Sequence, residues 1–153
     1  MTKYLWFGTG LLLAACGGGG KAESAQPVTS ATGVVRSFMQ AVADNNLAKM
    51  ASLWGTANGP ASKTHQPPDW ERRVAIMQAY LRNDSFRVTS DVAQTDESRR
   101  DQQVEIKRQA CTWTVPFTTV KARDGSWLIT QVDLAAAGNP ARPCAQGDST
   151  SGS

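Results

Sequence analysis

Trp113-Thr114-Val115-Pro116-Phe117-Thr118-Thr119-Val120-Lys121-Ala122-Arg123-Asp124-Gly125-Ser126-Trp127-Leu128-Ile129-Thr130-Gln131-Val132-Asp133-Leu134 contains two runs of extended character joined at Asp124-Gly125. Trp113, Val115 and Phe117 fall on one face of an extended chain, and Asp-Gly is a dipeptide that readily enters the tight turn of an antiparallel hairpin. The spacing predicts a strand over 113–122, a turn, and a strand over 127–134. Pro116 has no backbone donor, which predicts an edge or bulged position. Upstream, Phe86, Val88, Ser90 and Val92 alternate in the same way, as do Val104 and Ile106 within Gln102 to Gln109, with Thr95 to Arg100 as the turn between them. About four antiparallel strands follow one another.

Before Asn83-Asp84 the period is helical. Val34, Val35, Phe38, Met39 and Val42 recur at helical spacing behind Ser30 or Thr32, either of which can cap the start. Asp44-Asn45-Asn46 breaks that helix, and Asn46 can cap a second, with Leu47, Met50, Leu53 and Trp54 on its inner face and Gly55 as its stop. Thr56 to Pro68 is rich in Gly, Pro and small polar residues and reads as a loop carrying His65. Asp69 then caps a third helix with Trp70, Val74, Met77, Tyr80 and Leu81 on one stripe. The fold class is α+β: three N-terminal helices packed on a curved antiparallel sheet. Phe38, Met50, Trp54, Met77, Val88, Val115 and Ile129 are expected in the shared core.

The N-terminus reads as a targeting signal. Lys3 gives a positive start, and Tyr4 to Leu13 is an apolar run too short to span about 30 Å of hydrocarbon. Leu13-Ala14-Ala15-Cys16 resembles the lipobox of bacterial lipoproteins, in which the cysteine receives the acyl lipid and becomes the first mature residue. The resemblance implies that Cys16 anchors the chain to a membrane of the cell envelope. Gly17 after the cysteine, rather than Asp, favours the outer membrane, at its periplasmic face, in a two-membrane organism. Gly17 to Gly20 and the polar residues to Val28 form a flexible tether with a typical reach of about 20 Å. The chain thus divides into a signal peptide over 1–15, the lipidated cysteine and tether over 16–28, an α+β domain over 29–137 and a tail over 138–153, disordered beyond Cys144.

The element order resembles the nuclear transport factor two-like superfamily, the cone-shaped α+β fold that includes SnoaL-like proteins. The residues that carry this are Val34 to Val42, Asn45 to Met50, and Asp124 to Leu134. Its enzymatic members place an Asp and a His in the mouth of the cone. The resemblance therefore makes His65, Asp69 and Asp133 the candidates for a small hydrolase or isomerase, with Asp133 or Asp69 working with His65. Each has a plainer reading: His65 as a loop residue, Asp69 as a helix cap, Asp133 as a solvated strand-end carboxylate. A subset of the aromatics, Trp70, Tyr80 and Trp113, could line a pocket, although each sits at core spacing. No catalytic signature stands out, and binding of a small molecule or an envelope protein by a noncatalytic domain is the leading reading.

Composition narrows the partners. The 153 residues carry 41% hydrophobic and 19% charged residues with a net charge of +3, an ordinary globular balance. No basic stripe with interleaved aromatics is present, so nucleic acid is not expected. One histidine and no CxxC motif give no ligand set for a metal, and no cofactor is expected. After Cys16, the remaining cysteines are Cys111 and Cys144, an even number that suits an oxidising compartment. If the hairpin turns at Asp124-Gly125, Cys111 lies opposite position 138. Gly138, Pro140 and Pro143 then let the chain return toward it, which predicts a Cys111–Cys144 disulfide.

Overall fold

The computed structural model describes residues 28–142 and 144. The stretches read as signal peptide, lipobox with Cys16 and most of the tether, and the tail beyond Cys144, lie outside the described residues.

Helix starts follow the local chemistry. The Ser30 hydroxyl accepts from the Gly33 N–H at 3.0 Å, and α1 (Ala31–Ala43) buries Val34, Val35, Phe38, Met39 and Val42 on one stripe. Asn45 takes a left-handed conformation, and the Asn46 side chain accepts from the Lys49 N–H at 2.9 Å to begin α2 (Leu47–Leu53). The last long helix, α4 (Trp70–Leu81), buries Val74, Met77 and Leu81.

Three expectations are corrected between α2 and α4. The stretch read as a loop contains a two-stranded hairpin, β1 (Gly55–Thr56) and β2 (Gly59–Pro60), followed by a one-turn helix, α3 (Ala61–Thr64), so the helices number four rather than three. Pro60 suits the helix start because its missing N–H would have no partner there, and its carbonyl accepts from Thr64 Oγ1 at 3.2 Å. Gly55 does not itself stop α2. The helix ends at Leu53, Trp54 is already extended, and Gly55 enters the hairpin. Asp69 occupies the cap position of α4, but its side chain makes no cap hydrogen bond; it pairs instead with Arg73 one turn on, at 2.9 Å.

The sheet is an antiparallel meander of β3 (Ser85–Ala93), β4 (Arg99–Arg108), β5 (Cys111–Lys121) and β6 (Trp127–Val132), in that spatial order. Two bulges, at Val88/Ser90 and at Thr118/Thr119, interrupt the register. Pro116 sits in an interior strand, contrary to the edge expectation. Its carbonyl accepts from the Asp133 N–H at 3.0 Å, so its nitrogen faces the same side, one residue past Phe117–Val132, where the β6 ladder ends. The missing donor therefore costs no ladder bond. A single parallel bridge, Trp54 to Ile129, ties the end of α2 to β6.

α1 lies against the inner face of the sheet. Phe38 meets Phe117 edge-on with ring centroids 6.4 Å apart, and Val104, Ile106, Val115 and Ile129 are fully buried around them. The predicted core residues are all buried except Val88, which is half-buried against that core. After β6, a short 3-10 turn (Leu134–Ala137) leads to Gly138, and Cys111 and Cys144 are joined with α carbons 5.9 Å apart.

Candidate functional site

The space between α1 and the sheet is filled by side chains, which moves the openings of the fold to its surface. One of these lies between α4 and β6. It is a groove of about 400 Å³ whose floor is Trp54, Met77, Val132 and Leu134. Ile76, 40% exposed, adds an apolar wall although it lies on the solvent side of α4. Three separate pieces of chain supply these residues. The Trp54–Ile129 bridge seats Trp54 beside β6, while Met77 lies on the buried stripe of α4 and Ile76, one residue before it, borders the groove from the exposed flank.

The rim of this groove is charged. Asp69, Arg72 and Arg73 stand along α4, with Thr130 and Gln131 across from them. Arg73 donates to Asp69, and that hydrogen bond holds the Asp69 carboxyl below its ordinary value. Asp69 is thus an ionised, exposed partner of a guanidinium and a weak proton acceptor. Arg72 makes no ion-pair contact or hydrogen bond among the described residues, although its charge helps lower Asp69, and its guanidinium stands at the edge of an apolar floor.

The candidates named from the resemblance do not converge here. His65 is the exposed left-handed residue that ends α3, and its ring stacks on Trp70 with centroids 6.2 Å apart. Asp133 is exposed and accepts from the Ala135 N–H at 3.1 Å, starting the 3-10 turn. Of the three, only Asp69 lines the groove.

Nor do Trp70, Tyr80 and Trp113 line it. Trp70 is half-buried under His65, and Tyr80 is half-buried against the core. Trp113 is buried, with the Arg108 guanidinium 4.6 Å over its ring. Arg108 also donates to the carbonyls of Tyr80 at 3.0 Å and Ala137 at 2.9 Å, and burial pushes it below its ordinary value. The sequence reading passed over Ile76, Val132, Leu134 and Arg72. The one signal available was Ile76 itself, an apolar residue on the polar side of an amphipathic helix.

A second and wider opening, about 960 Å³, lies between α1, α2 and β3. Among the described residues no group of three or more metal-ligating side chains is present, and no helix is long and apolar enough to cross a membrane.

No family model matches the chain, and no curated protein matches it. Among solved structures it is similar to a protein of unknown function with a cystatin-like fold from Methylobium petroleophilum PM1, at 13% identity over 80% of this chain and 84% of that one, with a TM-score of 0.40. It is also similar to a protein from Shewanella frigidimarina NCIMB 400 that bears the provisional name of ketosteroid isomerase, at 16% identity over 67% of this chain and 93% of that one, with a TM-score of 0.38.

Proposed function

We propose that this chain is an envelope lipoprotein, anchored through lipid on Cys16, whose domain of the nuclear transport factor two-like kind binds a small amphipathic anion in the groove between α4 and β6 without transforming it. One observation carries the reading: an open apolar floor of Trp54, Met77, Val132 and Leu134 beside the guanidinium of Arg72. An acyl carboxylate or similar molecule would lay its chain on the floor and its charge at the rim. Burying a few methylenes contributes about 0.8 kcal/mol each, and a charge-assisted hydrogen bond fixes the orientation. The catalytic alternative, Asp133 or Asp69 with His65, needs two ionisable groups meeting in one groove, and these three are held apart by a cap, an ion pair and a ring stack.

Dodecanoate titrated into the purified chain carrying Cys16→Ser, followed by tryptophan fluorescence, tests the groove. Saturable quenching is expected, weakened about tenfold by Arg72→Glu and abolished by Ile76→Glu, in line with the loss of one charge contact or of the apolar wall. Unsaturable quenching, or equal binding in both variants, would refute the site. The anchor is tested separately: Cys16→Ser should abolish labelled palmitate incorporation and release the protein from the membrane fraction.

A further inference from the structure

β3 is an edge strand of the four-stranded sheet, and no strand pairs with its outer side among the described residues. Its first half runs along the wide opening formed with α1 and α2. Phe86, Arg87 and Val88 all line that opening. Successive residues of a strand point to opposite faces, so three in a row can border one groove only where the groove runs along the strand's edge. The unpaired backbone is therefore part of its wall.

The opening is a wedge closed at one end. Thr32 Oγ1 at the start of α1 donates to Asp91 Oδ2 at 2.8 Å, clamping the helix against the second half of β3. The bulge at Val88/Ser90 marks where the clamped part gives way to the open part. Over the open part, the helices contribute polar groups that are already satisfied within themselves: Gln40 donates to Asp44, the Asn46 side chain accepts from the Lys49 N–H, and the Ser52 hydroxyl donates to the Lys49 carbonyl. The side chains of Arg36 and Lys49 have no ion pair or hydrogen bond among the described residues, and Asp44 is the one carboxylate in the lining. Arg87 is neutralised outside by Glu105 at 2.9 Å.

We propose that this wedge receives an extended acidic segment of another protein, which adds as a fifth strand on the Ser85–Val88 edge of β3. Backbone hydrogen bonds to the edge provide the register. Inward side chains rest on Phe86 and Val88, and their carboxylates reach Arg36 and Lys49. The clamp at Thr32–Asp91 limits the added strand to the short stretch before the bulge. This interface is independent of the α4–β6 groove.

The probe is the peptide acetyl-Glu-Val-Glu-Val-Glu-Val-amide, titrated to millimolar concentration into the full chain carrying Cys16→Ser. Binding is followed by hydrogen exchange of backbone amides. Slowed exchange confined to β3 amides before the bulge is expected. Replacing Glu by Lys in the peptide, or placing Pro at its centre, should abolish that protection, and Arg36→Glu with Lys49→Glu should weaken binding by about tenfold or more, given that both uncommitted cations are reversed. Arg36 is exposed and Lys49 half-buried, and an unchanged circular dichroism melt certifies the fold of the variant. No slowing at β3 with the acidic peptide overturns the proposal. So does protection that the proline peptide reproduces, or binding indifferent to the double charge reversal.

Discussion

The two ends of the inner sheet face are finished differently. At the end where β5 begins, Cys111 and Trp113 are buried, Arg108 lies over the indole, Gly138 packs close to its Nε1 edge, and the disulfide ties the tail across the strand. Toward the other end stand Gln102, Arg100 and Asp91. Arg100 pairs with Asp91 at 2.6 Å, but the side-chain amide of Gln102 is fully buried with neither its nitrogen nor its oxygen bonded. The first end is stabilised by covalent and close-packed contacts, each of which removes freedom from the tail. The second tolerates an unmet polar group, which costs about 1–3 kcal/mol when truly dry. A small sheet need not be optimised along its whole length.

The largest difference should appear when the disulfide is opened. The link closes a loop spanning 33 residues of sequence separation, and the chain-entropy account assigns such a loop about 3–4 kcal/mol. Cys111→Ser with Cys144→Ser should lower the unfolding free energy by that amount in urea titration, and a change below about 1 kcal/mol would mean that packing at Trp113 alone holds the tail. A smaller loss is expected from Gly138→Ala. Gly138 has φ +70°, and an added Cβ would stand 2.6 Å from Trp113 Nε1, inside contact distance of a buried ring held by Arg108. Strain of about 1–3 kcal/mol should follow, together with a shifted indole amide resonance. If that resonance does not move, the tail packs less closely than described.

At the polar end the sign should reverse. Gln102→Leu keeps roughly the same volume and removes the unbonded amide, so stability should stay within about 1 kcal/mol of the parent or rise. A loss of about 3 kcal/mol would show that the amide has a partner such as a buried water, and would erase the contrast between the ends. The smallest effect belongs to the exposed turns outside the comparison. Asp124 accepts from the Ser126 hydroxyl at 2.6 Å and from its N–H at 3.0 Å, and these bonds hold its pKa below the ordinary 3.8. A carboxylate depressed in the folded chain stabilises it above the unfolded value and loses that contribution as pH falls through the lower folded value. Asp124→Asn should therefore lower neutral stability slightly and flatten the acid limb below pH 3.8, as followed by circular dichroism.

Much of this architecture could be read from local chemistry. Ser30, Asn46 and Asp124-Gly125 each place an element boundary by hydrogen bonds made within three residues, and such signals survive folding unchanged. The hairpin arithmetic held only in part: the pairs nearest the turn, Lys121–Trp127 to Thr119–Ile129, sum to 248, and only the bulge at Thr118/Thr119 brings Phe117–Val132 to the expected 249. What could not be read depends on distant partners. Asp69 looks like a cap until Arg73 competes for it, and Pro116 looks like an edge residue unless the end of β6 is known. The α4–β6 groove draws on residues near 54, 76 and 132, each an unremarkable apolar position in its own segment. Trp70, Tyr80 and Trp113 attracted notice by size, yet bulky aromatics at helical or strand spacing are spent on packing.

The Trp127 N–H donates to the Val28 carbonyl at 2.9 Å, and Trp127 pairs with Lys121 at the far end of β5 from Cys111. On the proposed anchor, that bond fixes the point at which the chain enters the domain, and it gives the domain a top and a bottom. The Asp124-Gly125 turn would hang nearest the bilayer. The disulfide end would stand about 30 Å further out along β5, facing whatever lies across the compartment.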